Sequence, residues 1–216
     1  MHRRLLCAAA AIGAALTLVA APADAATAAV PGGATVRTRA ADPISDDEVR
    51  AILARMDATG TLSAEDRAAL ATRPEVADQV FVPSDAEVVD ETAPAPAPVP
   101  GKTSCTYADR YISYPSTTHL NHVKWAVRVD WCYNGKTVSN IRHYDYLKDN
   151  GGGLADYQGL LQNQLTFPGS VHYEATLVKQ AKIALCVVKY GCYHTYYPLE
   201  RFTLGNNGSY RLQQQK

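Results

Sequence analysis

Beyond residue 25 the sequence contains no apolar run of the roughly 20 residues that a membrane-spanning helix needs, so no later segment is expected to anchor the chain. It has no C-x-x-C pair and no histidine cluster at zinc spacing, which removes the usual structural zinc sites. The Gly-x-Ser-x-Gly elbow of many serine hydrolases is missing as well. With only 3 Phe, 2 Trp and 2 Met, any core must rest on aliphatic residues and on the 13 Tyr. A net charge of zero gives no overall bias toward polyanions or polycations.

What is present begins with an export signal. Arg3 and Arg4 form a basic start, Leu5 to Ala20 is almost continuously apolar, and Ala23-Asp24-Ala25 supplies a small-x-small cleavage site. Residues 1–25 are therefore expected to be a signal peptide, and the destination to be extracellular. Cleavage removes Cys7 and leaves Cys105, Cys132, Cys186 and Cys192, an even number in an exported chain, which favours disulfides. Three pairings are open. Cys186 and Cys192 flank five residues, a spacing suited to stapling a tight hairpin, so Cys186–Cys192 with Cys105–Cys132 is the expected set.

The neutral total hides a division at residue 100. Residues 26–100 carry 6 basic and 13 acidic residues; residues 101–216 carry 13 basic and 7 acidic, with every Tyr and both Trp. Residues 26–44 are small and polar and are expected to be disordered. Over 45–82 the signs are helical. Ser45, Ser63 and Thr72 each precede an acidic residue by three, as N-caps do, and Val49, Ile52, Leu53 and Met56 form one apolar stripe. Residues 83–102, with alternating Pro and Ala from Thr92 to Pro100, read as an extended linker. Tethered in this way, the acidic segment 45–82 could dock on the basic domain and mask it.

Residues 103–216 read as a disulfide-bonded β domain. Val123, Trp125, Val127, Val129, Trp131 and Tyr133 alternate with His122, Lys124, Ala126, Arg128, Asp130 and Cys132, the period of a half-buried strand. Asn134-Gly135 then signals a two-residue hairpin turn. That register sets Tyr133 opposite Lys136, Trp125 opposite Tyr144 and Lys124 opposite Asp145, with the large apolar residues on one face. Further strands are expected near 105–114, 171–178, 181–188, 192–197, 201–204 and 210–212. The segment from Leu147 to Gly169 reads as a mobile loop with a helical turn at 154–161. The expected fold is mainly β: a C-terminal antiparallel β-sandwich or small barrel with two disulfides, preceded by a short helical segment.

The Ala-rich signal, acidic segment, Pro-Ala linker and Trp131-Cys132-Tyr133-Asn134-Gly135 hairpin resemble uncharacterised small secreted proteins of actinobacteria. The resemblance implies a secreted β domain and carries over no activity and no site residues.

No metal or cofactor is expected; in His119-x-x-His122 the two rings point to opposite faces of an extended chain. The principal functional reading is a non-enzymatic binding domain for an extracellular or cell-surface protein, or for an anionic or carbohydrate polymer. Tyr193, Tyr196 and Tyr197 are its candidate ligand-binding residues, because a phenol offers a flat apolar face with a polar tip. The alternative is a secreted hydrolase or nuclease-type toxin using His143, His172 or His194 with Glu174 as acid and base. A protease inhibitor is the third reading.

Overall fold

In the computed structural model, which describes residues 42–169 and 172–215, two of the three expected helix caps form. Ser45 accepts from the Glu48 N–H at 3.2 Å and opens α1 (Asp46–Thr59), whose first turn carries three acidic residues at the positive end of the helix dipole. Gly60 ends it in the left-handed conformation, donating to the Met56 carbonyl. Ser63 caps α2 (Ala64–Leu70) in the same way. Thr72 does not cap. Its hydroxyl donates back to the Ala69 carbonyl and accepts from the Ile44 N–H, and α3 (Pro74–Ala77) starts instead at Pro74, whose fixed φ suits a first turn. The signal peptide, Cys7 and most of the stretch expected to be disordered lie outside the described residues.

The chain then builds two antiparallel sheets, so the protein is mainly β. Sheet 1 runs β1 (Glu87–Asp90), β2 (Ser104–Pro115), β3 (His122–Tyr133) and β4 (Val138–Asn150), adjacent in that order. Sheet 2 holds β5 (Ala155–Thr166), β6 (Glu174–Val187), β8 (Leu199–Gly205) and β9 (Tyr210–Gln215), and β7 (Gly191–Tyr196) pairs with the far end of β6. Disulfides join Cys105 to Cys132 across β2 and β3, and Cys186 to Cys192 across the β6–β7 hairpin. Among the described residues, no helix is long and apolar enough to cross a membrane.

The core lies between the sheets. Trp125, Val127, Val129 and Trp131 of β3 belong to one buried cluster with Leu177, Ile183, Leu185 and Phe202 of sheet 2. Val49, Ile52, Leu53 and Met56 join the same cluster, so α1 docks by its apolar stripe, chiefly over β7. Charge contributes at the rim, where Asp46 pairs with Lys189, and Asp57 is hydrogen-bonded to His194 Nδ1. Asp78 accepts from Ser116 and Thr118, tying α3 to the β2–β3 turn. The helices are thus part of the domain's cover.

Four expectations are corrected. The first is the hairpin register. Asn134 Oδ1 accepts from the N–H groups of Lys136 and Thr137, an Asx turn that widens the connection beyond two residues. Tyr133 pairs with Val138, and after a register shift between Asp130 and Cys132 the partners become Arg128–Tyr144, Ala126–Tyr146 and Trp125–Leu147. The change in parity moves Tyr144 and Tyr146 from the expected core face to the outer face. Second, part of the expected linker is structured: Glu87–Asp90, rich in β-branched valine, pairs with β2, and Tyr133 donates to the Pro96 carbonyl. Third, residues 155–166 form β5 instead of a loop or helical turn. Two register shifts, at Tyr157/Leu160 and Leu160/Gln162, break its alternation, so period 2 is not legible there. Fourth, the two strands expected at 171–178 and 181–188 are one, β6, within the described residues.

Candidate functional site

The residues singled out from sequence do not come together. Tyr193 is 8% exposed and Tyr196 5%, and both belong to the core. The Tyr193 hydroxyl donates to the Phe81 carbonyl and accepts from the Phe81 N–H, at 2.9 and 2.8 Å. Tyr196 packs on Tyr114 with ring centroids 4.1 Å apart. Burial pushes the phenols of Tyr114, Tyr193 and Tyr196 far above their ordinary range. Only Tyr197, at 47% exposure, remains a surface ring. His194 bonds Asp57, His172 stacks on Phe167, and Glu174 pairs with Arg211. His143 faces inward from β4, where burial, then the nearby Lys179, lower its pKa. No hydrogen bond joins any two of these histidines or Glu174 among the described residues, and no metal-binding group of His, Cys, Asp and Glu occurs there.

The structure instead assembles an aromatic surface on the outer face of sheet 1. Register sets the side chains in rungs across β2, β3 and β4: Tyr107, Asp130 and Arg142; then Asp109, Arg128 and Tyr144; then Tyr111, Ala126 and Tyr146. Tyr144 and Tyr146 are exposed, and the small Ala126 between Tyr111 and Tyr146 is fully buried. Arg128 lies 4.2 Å from the Tyr107 ring centroid and Lys148 4.5 Å from that of Tyr111, within cation–π range. Each of these cations also meets an acid, Arg128 with Asp109 and Asp130, Lys148 with Glu91, and Lys124 pairs with Asp149. The face is therefore rich in tyrosine and close to charge-balanced.

At one end this face runs into a cleft of about 440 Å³ between the sheets, and Tyr107 belongs to both. Sheet 1 contributes Asp90, Tyr107 and Trp131; sheet 2 contributes Tyr210 and, from the β8–β9 turn, Asn207; the Pro-Ala strap from Thr92 onward forms the outer wall. The Trp131 and Tyr210 rings meet edge to face with centroids 6.1 Å apart. At the rim the Asp90 carboxylate accepts from the Tyr210 hydroxyl at 2.6 Å, from Arg110 Nη1 at 2.9 Å and from the Thr92 N–H at 3.0 Å. Partial burial alone would raise Asp90, but the bonds from Thr92 and Tyr210 hold it below the usual carboxylate range. Burial and Asp90 raise the Tyr210 phenol, which stays a hydrogen-bond donor at neutral pH. The Trp131 indole N–H is buried with no protein partner.

The strap is held in place by close approach. A Cβ on Gly208 would sit 2.5 Å from the Tyr133 ring, and Gly208 has φ +84°, so glycine lets the turn pack on the ring whose hydroxyl holds Pro96. Two partly exposed rings, Tyr107 and Tyr210, with one carboxylate, an amide and hydroxyls, are the means by which proteins hold a polyhydroxylated ring: apolar faces take its C–H surface, and polar groups its hydroxyls. The cleft was not found from sequence because Asp90 and Thr92 lie in the stretch read as a linker. The legible signal was the Val88-Val89 pair inside it.

Protein-family models, curated proteins and solved structures were all compared with this chain, and none matches it. Fold and site define its class as a disulfide-stapled, two-sheet antiparallel β protein with a helical cover and an aromatic cleft.

Proposed function

We propose that this protein is a secreted, non-enzymatic binding domain for a carbohydrate polymer. The observation that carries the reading is the cleft lined by the partly exposed Tyr107 and Tyr210 beside Asp90, opening onto a tyrosine face of balanced charge. That balance supports a neutral chain over a polyanion, which would leave Asp109, Asp130 and Asp149 facing like charge. Among the described residues Asp90 is the only carboxylate lining the cleft, whereas glycoside hydrolysis ordinarily uses two; this supports binding without turnover. Export is supported by the expected signal peptide and by the two disulfides, bonds that persist in oxidising compartments. The resemblance to small secreted actinobacterial proteins agrees with it.

The test is retention on insoluble neutral polysaccharides together with affinity electrophoresis in soluble ones. The protein binds, releases no reducing ends, and loses affinity about tenfold, ~1.4 kcal/mol, in Tyr107→Ala. Failure of retention on every neutral polysaccharide, or unchanged binding by Tyr107→Ala, removes the reading.

A further inference from the structure

Among the described residues sheet 1 ends in β1 and β4 and sheet 2 in β5 and β9, with the six-residue β7 pairing only with β6 beneath α1; every edge but β5 is protected against pairing with another chain. β1 is four residues long, and the chain after it stays on sheet 1, where the Glu91 N–H donates to the Asp109 carbonyl and Thr92 Oγ1 accepts from the Asp109 N–H. β4 is long but carries Arg142, Asp145, Lys148 and Asp149, is kinked at Asn140 with φ +50°, and gives its first N–H to the His172 carbonyl. β9 has six residues, includes Arg211, and has its first ring hydrogen-bonded to Asp90. Charges, short strands, bulges and coverings are the devices by which edges avoid pairing.

β5 is different. It is twelve residues long, pairs only with β6, and has no charged residue and no proline from Tyr157 to Thr166. Its bulges are confined to the first half, so Gln162–Thr166 runs in regular register with Gln180–Thr176 and leaves its other edge unpaired. Residues 161–164 are all exposed, Leu161 at 55%. The flank beside it is also incompletely closed: Ile141, Leu147, Leu160 and Leu165 pack on the core but remain partly accessible.

We infer that β5 is the dimerisation edge of this protein, pairing antiparallel through Gln162–Thr166 with β5 of a second copy and covering the half-open β4–β5 flank. A second copy fits because an uncharged edge repels nothing when it meets itself across a two-fold axis. A chain of zero net charge also offers no long-range repulsion between copies. In that antiparallel register Gln164 meets its own counterpart on the two-fold axis, where the two amides can hydrogen-bond, and Gln162 lies opposite Thr166.

Sedimentation velocity over a concentration series, with hydrogen exchange read at Gln162–Thr166, tests this. The protein is expected to form a reversible dimer in which those amides exchange more slowly as concentration rises. Gln162→Lys with Gln164→Lys abolishes the dimer without shifting the thermal midpoint, because both side chains are exposed. Gln162→Glu with Gln164→Glu does the same, and mixing the two variants restores a one-to-one dimer. A monomer at every concentration overturns the inference, as does a dimer indifferent to both variants. β5 amides protected equally at the lowest concentration overturn it too, and place the cover within the chain itself.

Discussion

Lys179 and Glu200 stand opposite each other on β6 and β8, both facing the core, yet the two flanks of the interior treat them differently. On the β4–β5 flank Lys179, 2% exposed, reaches Asp145 at 2.8 Å, and Asp145 also accepts from the Tyr157 hydroxyl. That charge is buried as a pair with its own hydrogen bonds. On the flank beside the cleft Glu200 is fully buried with neither carboxyl oxygen hydrogen-bonded; the nearby Arg110 turns its Nη1 to Asp90 and Tyr210 and does not bond Glu200. Burial therefore pushes its pKa up to about 8, and it sits in the fold as a neutral acid. A buried charge needs a partner, and where the partner is committed elsewhere the group gives up its charge.

Breaking the paired flank should have the largest effect. Asp145→Ala leaves the Lys179 ammonium without its counter-charge and should destabilise the protein by about 3–5 kcal/mol in chemical unfolding. A cost below about 1 kcal/mol would mean that water reaches Lys179 and that this flank is not dry.

The unpaired flank should show itself as pH dependence. Glu200 keeps in the fold a proton that the unfolded chain gives up above about 4.5. Its contribution to stability is therefore complete below that value, declines by about 1.4 kcal/mol per pH unit as pH rises toward about 8, and levels off beyond. Glu200→Gln cannot ionise and should remove that slope, leaving the variant more stable than the parent by about 3 kcal/mol at pH 7. Equal slopes for parent and variant would contradict the assignment.

Smaller effects sharpen the contrast further. Tyr157→Phe removes one hydrogen bond to Asp145 and should cost about 1.5–3 kcal/mol, a fraction of the Asp145→Ala effect. On the outer face, Tyr146→Ala should change stability by no more than about 0.5 kcal/mol, and Tyr144→Ala, which also removes an exposed hydrogen bond to Asp130, by about 1 kcal/mol. The same pair should weaken binding to long polysaccharides while leaving short oligosaccharides, which fit within the cleft, unaffected.

Local chemistry was readable in the sequence where it acted alone. The apolar stripe of α1, the Ser45 and Ser63 caps, the alternation of β3 and both cysteine pairings follow from spacing and residue type, and so does the mainly β class. What could not be read depended on contacts distant in sequence. Asn134 could close either a two-residue turn or the wider Asx turn, which slides the register by two and keeps each side chain on its face; the one-residue shift between Asp130 and Cys132 is what turns Tyr144 and Tyr146 from the core to the solvent, and no local residue type announces it. β5 was obscured by its two register shifts, which break the alternation of its core-packed Tyr157, Leu160 and Leu165. The pair Tyr193 and Tyr196 looked like surface rings because nothing local to β7 announces that α1 and Phe81 cover it. Asp90 and Tyr210 are 120 positions apart, so the cleft exists only once both sheets are in place.

The most direct test uses the two tryptophans as reporters. Each has a buried indole N–H without a protein partner, but only Trp131 borders the cleft, whereas Trp125 lies in the core between the sheets. In a nitrogen-15 correlation spectrum the two indole signals can be followed during titration with neutral oligosaccharides. Saturable movement of the Trp131 signal with Trp125 fixed, abolished in Tyr107→Ala and insensitive to salt, is the result this account predicts. Two stationary indole signals across the neutral glycans, or shifts produced only by polyanions and lost as salt rises, would contradict it.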